Sequence, residues 1–321
     1  MNGRPIREKK GDGISPESLQ GKVQTVCGLI PPAELGPTLM HEHILCDLTP
    51  PGLFPADQPD TEVTLENVWE IRHHWIRHPG NHRLLQEDVA LRELAAYREA
   101  GGRAIVEVTS KGLSRDPRGL ERISRAGRAH IVMGCGDYTE EFVGGEGRGR
   151  TAEAVAEEVL DDLLVGAEGT HIRAGIIGEI GCSHPWSEQE RIAMEVAVAA
   201  QKKTGATISV HPGRHPHVPF EIARFIREAG GRPDRTIMAH VERTLPDLDS
   251  LLEFAETGCV VEFDFFGIES SYYPFQDIDL PNDGQRLRWI RSLIEKGHIQ
   301  RILLSQDICT KTRLRSYGGH G

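Results

Sequence analysis

Five short apolar runs in this chain each lead into a histidine or a carboxylate, and that repetition limits the possible fold more than any other feature. Pro37-Thr38-Leu39-Met40 precedes His41-Glu42-His43. Ala174-Gly175-Ile176-Ile177-Gly178 precedes Glu179, and Ala206-Thr207-Ile208-Ser209-Val210 precedes His211. Thr236-Ile237-Met238-Ala239 precedes His240, and Arg301-Ile302-Leu303-Leu304-Ser305 comes just before Asp307. Side chains alternate faces along a strand, so His41 and His43, two apart, point the same way and can grip one ion from a single strand end. Imidazole and carboxylate suit zinc, manganese, cobalt or iron, and four histidines with two carboxylates can hold two ions sharing a bridging carboxylate.

Strand-like and helix-like runs alternate from about residue 37 onward, which predicts a parallel sheet. Strands are expected at Pro37–His43, Arg103–Val108 and His130–Cys135, then ending at Glu179, near His211, His240 and Asp264, and at Asp307. Eight such units fit one α/β domain, a (β/α)8 TIM barrel over residues 21–321. Ala152, Val155, Ala156, Val159, Leu160, Leu163 and Leu164 recur at the spacing of one helical face. Ser187 and Glu190 form a capping-box pattern that starts the helix after the fourth strand. Gly101-Gly102, Gly230-Gly231 and Gly258 supply permissive helix ends. Lys22 to Val26 with the Pro31-Pro32 turn predicts a small hairpin under the barrel. Thr49 to Asn81, with Trp69, Trp75, His73, His74, His78 and His82, predicts a helical excursion beside the mouth. The four histidines fall around that helix, as on a solvated polar one, and not as a metal cluster. Met1 to Gln20 mixes charged residues with Gly, Pro and Ser, lacks an apolar core segment, and reads as a disordered tail and not a secretory signal.

No long uncharged apolar stretch is present, so no membrane span is expected. A net charge of -11 repels polyanions and argues against nucleic acid or an anionic membrane as partner. The expected partner is a small-molecule substrate, with a homo-oligomer left open. The six cysteines contain no C-x-x-C pair and read as reduced thiols of a cytosolic protein.

The ligand order, His-x-His on strand one, a carboxylate on strand four, histidines on strands five and six and an aspartate on strand eight, resembles the amidohydrolase superfamily. Gly21-Lys22-Val23-Gln24-Thr25-Val26, Thr38 to His43, Gly175 to Ser183, His211-Pro212-Gly213-Arg214, Lys311-Thr312-Arg313-Leu314 and Tyr317-Gly318-Gly319-His320-Gly321 are similar to the phosphotriesterase-related protein family. The resemblance implies that His41, His43 and Asp307 hold one metal, that His211 and His240 hold the second, and that Glu179 bridges them. Bacterial phosphotriesterases are similar in layout but use a carboxylated lysine on strand four, which Glu179 makes unnecessary. The chain stops at Gly321, fourteen residues after Asp307, where the family continues through a final helix, so the last βα unit is expected to lack its helix.

Two divalent ions, zinc by default, about 3.5 to 4 Å apart would share a hydroxide, lower its pKa and polarise the oxygen under attack, which makes hydrolysis the expected reaction class. Asp307 is the expected general base or proton shuttle, with Glu262 and Asp264 as the other carboxylates on a strand end. Arg214, Lys311 and Arg313 could grip a small anion, and Tyr138 with Phe265-Phe266 could form an apolar wall. His184, His215 and His217 are left outside the site. The resemblance implies an amidase of small N-acyl amino compounds such as N-acetyltaurine. Competing expectations are a lactonase or phosphotriesterase, a TatD-type nuclease, and a non-catalytic metal-binding protein.

Overall fold

The structure, a computed structural model, describes residues 13–321 apart from 56, 57, 59, 75, 76, 148, 270–272 and 274. Eight strands carry the architecture: β1 (Thr38–Glu42), β2 (Ala104–Glu107), β3 (His130–Cys135) and β4 (Ile176–Gly181), then β5 (Ile208–His211), β6 (Thr236–Met238), β7 (Val260–Phe263) and β8 (Ile302–Leu304). They lie in one sheet in chain order, each neighbouring pair parallel. The sheet curls until β1 meets β8. At that seam the Asp307 amide donates to the His41 carbonyl at 3.2 Å and the His43 amide to the Ile308 carbonyl at 3.3 Å.

A helix follows each of the first seven strands: α1 (Glu87–Glu99), α2 (Pro117–Gly127), α3 (Ala152–Leu164) and α4 (Glu188–Thr204), then α5 (Val218–Glu228), α6 (Leu248–Ala255) and α7 (Asp283–Glu295). Eight parallel strands alternating with seven helices therefore give the expected (β/α)8 barrel fold. Past β8 come two 3-10 turns, Lys311–Arg313 and Arg315–Tyr317, and no α-helix follows among the described residues. The predicted capping box starts α4: Ser187 Oγ accepts from the Glu190 amide, and the Glu190 carboxylate accepts from the Ser187 amide. Glu190 also accepts from the amide and hydroxyl of Ser183, which fastens the loop after β4 to this helix.

Two apolar layers explain why the barrel is solid. Leu120, Ile123, Val159, Leu163, Met194, Ile226 and Phe254 from the helices pack on the outward faces of the strands. Inside, Met40, Val106, Val132, Ile176, Ile237, Val260 and Leu303 meet around the axis. Each fully buried aliphatic side chain is worth about 1.5–3 kcal/mol, so a closed ring of them holds the strand ends in place. The predicted hairpin, Val23–Thr25 paired with Gly28–Ile30, packs beside β3 at the lower end. There the Val26 amide donates to Ile131 O at 2.9 Å.

Two expectations require correction. Residues 13–20, assigned to a disordered tail, contain the 3-10 turn Pro16–Leu19, and the Ile14 amide donates to Leu164 O at 2.8 Å. Residues 1–12 lie outside the described residues. Among its described residues the excursion between Thr49 and Asn81 holds a short helix, Val68–His73, and a 3-10 turn, Pro79–His82. His78 lies 3.2 Å from Glu70 Oε1, while His82 is buried at the barrel mouth, so the four histidines do not share a solvated helix. Trp75 lies outside the described residues.

A buried ion pair braces the strands that carry the site. Arg115, after β2, donates to Gly134 O of β3 at 2.9 Å and pairs with Asp162 of α3 at 2.8 Å, both side chains being almost wholly buried. Removing one partner of such a pair strands the other charge without solvent, at a cost of about 3–5 kcal/mol. Asp162→Ala should lower the unfolding free energy by about that amount in urea titration. A loss under about 1 kcal/mol would show that Glu168, 3.0 Å from Arg115 Nε, is partner enough.

Candidate metal centre

The mouth of the barrel departs from regular strand geometry around His41, Glu179, His240 and Asp307, whereas His211 ends its strand in register. The ladder shifts register between Leu39 and Glu42 on β1 and between Ile177 and Ile180 on β4, the segments that contain His41 and Glu179. Such irregularities re-aim a side chain out of strict alternation. Gly178 makes the shift in β4 feasible, since its φ is 131° and a Cβ there would lie 2.3 Å from Ser209 O. β6 and β8 stop before their ligands. His240 and Asp307 follow in left-handed backbone, at φ 54° and 47°, a conformation that costs non-glycine residues about 1–3 kcal/mol and clusters at functional sites.

Glu179 occupies the centre. Its Oε1 lies 3.4 Å from His43 Nε2, and its Oε2 lies 3.0 Å from His211 Nδ1 and 3.5 Å from both His41 Nε2 and His240 Nε2. Asp307 Oδ1 stands 3.5 Å from His43 Nε2 and 3.9 Å from His41 Nε2. His41, His43 and Glu179 form one group whose ligand atoms lie within 4.8 Å of one another, and Glu179, His211 and His240 form another. The two groups share only Glu179. Burial by itself would raise the Glu179 carboxyl, but His41 and His211, with hydrogen bonds from His211 and His240, hold it well below the usual carboxylate range. Burial pushes His211 down to about 3 and His240 well below its ordinary value, so both rings are neutral at pH 7 with a lone pair to offer.

These residues fit divalent ions. His41 Nε2 is buried and has no hydrogen-bond partner among the described residues, a vacancy in bonding that a cation at the histidine–glutamate cluster would fill. The far nitrogens of the rings are anchored. His41 Nδ1 lies 3.3 Å from Glu262 Oε2, His240 Nδ1 2.9 Å from Asp264 Oδ1, and His43 Nδ1 2.9 Å from Thr109 Oγ1. Thr109 in turn donates to Glu107. Partners of this kind fix the tautomer and the ring plane of metal-ligating histidines. His211 is turned the other way: Nδ1 faces Glu179 and Nε2 faces Arg243 Nη2 at 3.1 Å, while the Tyr138 hydroxyl lies over the ring, 3.2 Å from Nδ1 and 3.3 Å from Nε2. Asp264 also groups with His41 and His240, but it lies behind the rings, on their Nδ1 side.

The structure thus brings His41, His43, Glu179, His211, His240 and Asp307 together, all at most 8% exposed. All but His41, which is wholly buried behind them, line the floor of a cavity of about 810 Å³. Tyr138, Arg214, Phe265 and Arg313 line it as expected; Phe266 instead packs on the core, and Lys311 is not among its walls. Arg313 is tied to Asp307 and Cys309, which takes it away from the free grip expected of it. His184 lines the rim, stacked on His215 at 4.3 Å. Glu262 and Asp264, the reserve candidates for proton transfer, are wholly buried behind His41 and His240 and serve to orient them. Three residues escaped sequence reasoning. Thr109 and Glu107 are ordinary strand-end residues whose role depends on meeting His43, and Arg243 carried no signal beyond standing three residues after His240.

A family model described as the phosphotriesterase family matches residues 21–321. An N-acetyltaurine hydrolase of Bos taurus is 42% identical over 311 residues, covering 95% of this chain and 89% of that protein. The N-acetyltaurine hydrolase of Homo sapiens is also 42% identical, over 310 residues, with the same coverage. Among solved structures, a resiniferatoxin-binding protein from Rhodobacter sphaeroides superposes with a TM-score of 0.88 at 32% identity, over 94% of this chain and 85% of that one.

Asp264 accepts both the His240 amide, at 2.9 Å, and the His240 ring contact. Asp264→Ala should leave the fold intact by circular dichroism and weaken divalent-metal affinity about 10- to 100-fold in chelator competition. Wild-type affinity in this variant would show that the ring needs no such support.

Proposed function

Because the chain belongs to the phosphotriesterase family, we propose that it is a metal-dependent amidase of small N-acyl amino compounds, with N-acetyltaurine as the foremost substrate. The observation that carries the reading is the division of Glu179, one oxygen toward His43 and the other toward His211 and His240, at the floor of a cavity large enough for a small amide. The identity of 42% across 95% of the chain to N-acetyltaurine hydrolases supports the choice of substrate.

Under this reading His41, His43 and Asp307 hold one ion, His211 and His240 the other, and Glu179 both. Two zinc ions would supply a nucleophile at neutral pH and polarise the scissile carbonyl. The protein's own groups do the rest. Asp307 faces the cavity beside His41 and His43, so its carboxylate can take a proton from the attacking water and return it to the departing amine. Tyr138 and Arg214 line the wall where the acyl compound would lie, Arg214 being held by the Tyr273 hydroxyl at 2.9 Å. All six cysteines are free, which supports a reducing compartment such as the cytosol. No helix among the described residues is long and apolar enough to cross a membrane.

Turnover of a panel by purified, metal-replete protein tests the reading: N-acetyltaurine and other N-acyl amino acids should be cleaved, lactones, phosphotriesters and DNA much less. Cleavage confined to the latter compounds would replace it. Glu179→Gln, with one good ligand oxygen in place of two, should lower the metal content below about two ions per chain and reduce turnover. An unchanged content and rate would end the bridging role. Asp307→Asn keeps one coordinating oxygen but accepts no proton at neutral pH. It should retain its metal while kcat falls by about 10²- to 10⁴-fold, with a smaller change in KM. Retention of both metal and most of kcat would make Asp307 a ligand only.

A further inference from the structure

Arg243 is 2% exposed, lies on the wall of the cavity, and is the only guanidinium of the cavity wall in direct contact with a histidine of the centre, His211, among the described residues. Its Nη2 donates to Pro212 O at 2.9 Å, and its Nη1 has no hydrogen-bond partner among the described residues. A buried cation with an idle donor is costly, because desolvation is complete and nothing replaces the lost water. Besides Pro212 O, the contact that offsets this is Nη2 to His211 Nε2 at 3.1 Å, which requires a lone pair on Nε2. His211 Nδ1, however, is the nitrogen that faces Glu179 and His240, each at 3.0 Å. If Nδ1 serves an ion, the single proton of a neutral imidazole moves to Nε2, and two donors then face one another. The guanidinium is left with donors to place, on a residue that lines the cavity.

We infer that Arg243 is the anion-binding residue of this cavity and that it selects N-acyl substrates with a small acidic tail, a sulfonate or a carboxylate. The inference rests on the amidase reading. A planar guanidinium suits either acid group, since it offers paired donors to two oxygens. The spacing is also apt. One imidazole ring separates the guanidinium from the Glu179-facing nitrogen, and in a taurine amide four bonds, about 5 Å when extended, separate the carbonyl carbon from sulfur. Arg214 stands further out, its guanidinium 4.3 Å over the Phe275 ring, where it adds positive potential at the entrance without burial.

The test compares metal-replete wild type, Arg243→Gln and Arg243→Lys. Two readouts are used: kcat/KM for N-acetyltaurine, N-acetyl-β-alanine and neutral N-acetylethanolamine, and calorimetric binding of ethanesulfonate and propionate. Arg243→Gln should lose about 10- to 100-fold in kcat/KM on the two anionic amides, mainly through KM, with a much smaller loss on the neutral one. Ethanesulfonate binding should weaken by a similar factor, metal content should match wild type, and Arg243→Lys should recover part of both. A sulfonate preference over carboxylate would appear as a difference between the two anionic probes. Wild-type binding of ethanesulfonate by Arg243→Gln, or parallel losses on charged and neutral amides together with loss of metal, would overturn the inference and leave Arg243 as a support for His211. Failure of the amidase reading looks different. The wild type would then cleave none of the three amides, yet would still bind ethanesulfonate in an Arg243-dependent way.

Discussion

A carboxylate that water cannot reach must be neutralised by what surrounds it, and at the mouth of this barrel Glu179 is surrounded by four imidazoles. The other features of the site follow from that constraint. Four rings can converge on one carboxylate only if each has a partner for its outward nitrogen, or the burial of so many polar atoms would outweigh the attraction. Glu262, Asp264 and Thr109 provide those partners for His41, His240 and His43. The result is a cluster whose ring planes are set before any ion arrives, as tight metal binding requires. Around it, the apolar ring of Val106, Val132, Ile176 and Ile237 excludes water from below.

Closure of the barrel and placement of Asp307 are one event. The seam between β1 and β8 is made at its upper end by backbone bonds from Asp307 to His41 and from His43 to Ile308. Glu42, the middle residue of His-Glu-His, reinforces it: its carboxylate accepts from the Ser305 hydroxyl at 2.7 Å and from the Gln306 and Ile308 amides at 2.8 Å. Ser305 Oγ also accepts from the His41 amide and lies 2.9 Å from the His41 carbonyl, a second acceptor within reach of its single proton. Fastened on both sides, Asp307 can be held in left-handed backbone and kept beside His41 and His43. Lost closure would therefore appear as a lost ligand before it appeared as an unfolded protein.

The periodic part of this arrangement was legible in the sequence by itself. Strand alternation and helical spacing are local, so apolar runs ending in His41, Glu179, His211, His240 and near Asp307 marked the barrel and the residues gathered at its mouth without knowledge of any contact. The Ser187–Glu190 cap was equally local and equally visible. Only the tertiary structure decided the rest. That His240 and Asp307 stand beyond their strands, that His211 offers the opposite ring nitrogen from its three neighbours, and that Glu262 and Asp264 stand behind the rings of His41 and His240 all depend on residues brought together from distant parts of the chain. His82 turned inward and residues 13–20 folded against α3 for the same reason. Arg243 is the clearest case: in sequence it is one arginine among many, and it becomes meaningful only where the barrel removes water from it and leaves Nη1 without a partner among the described residues.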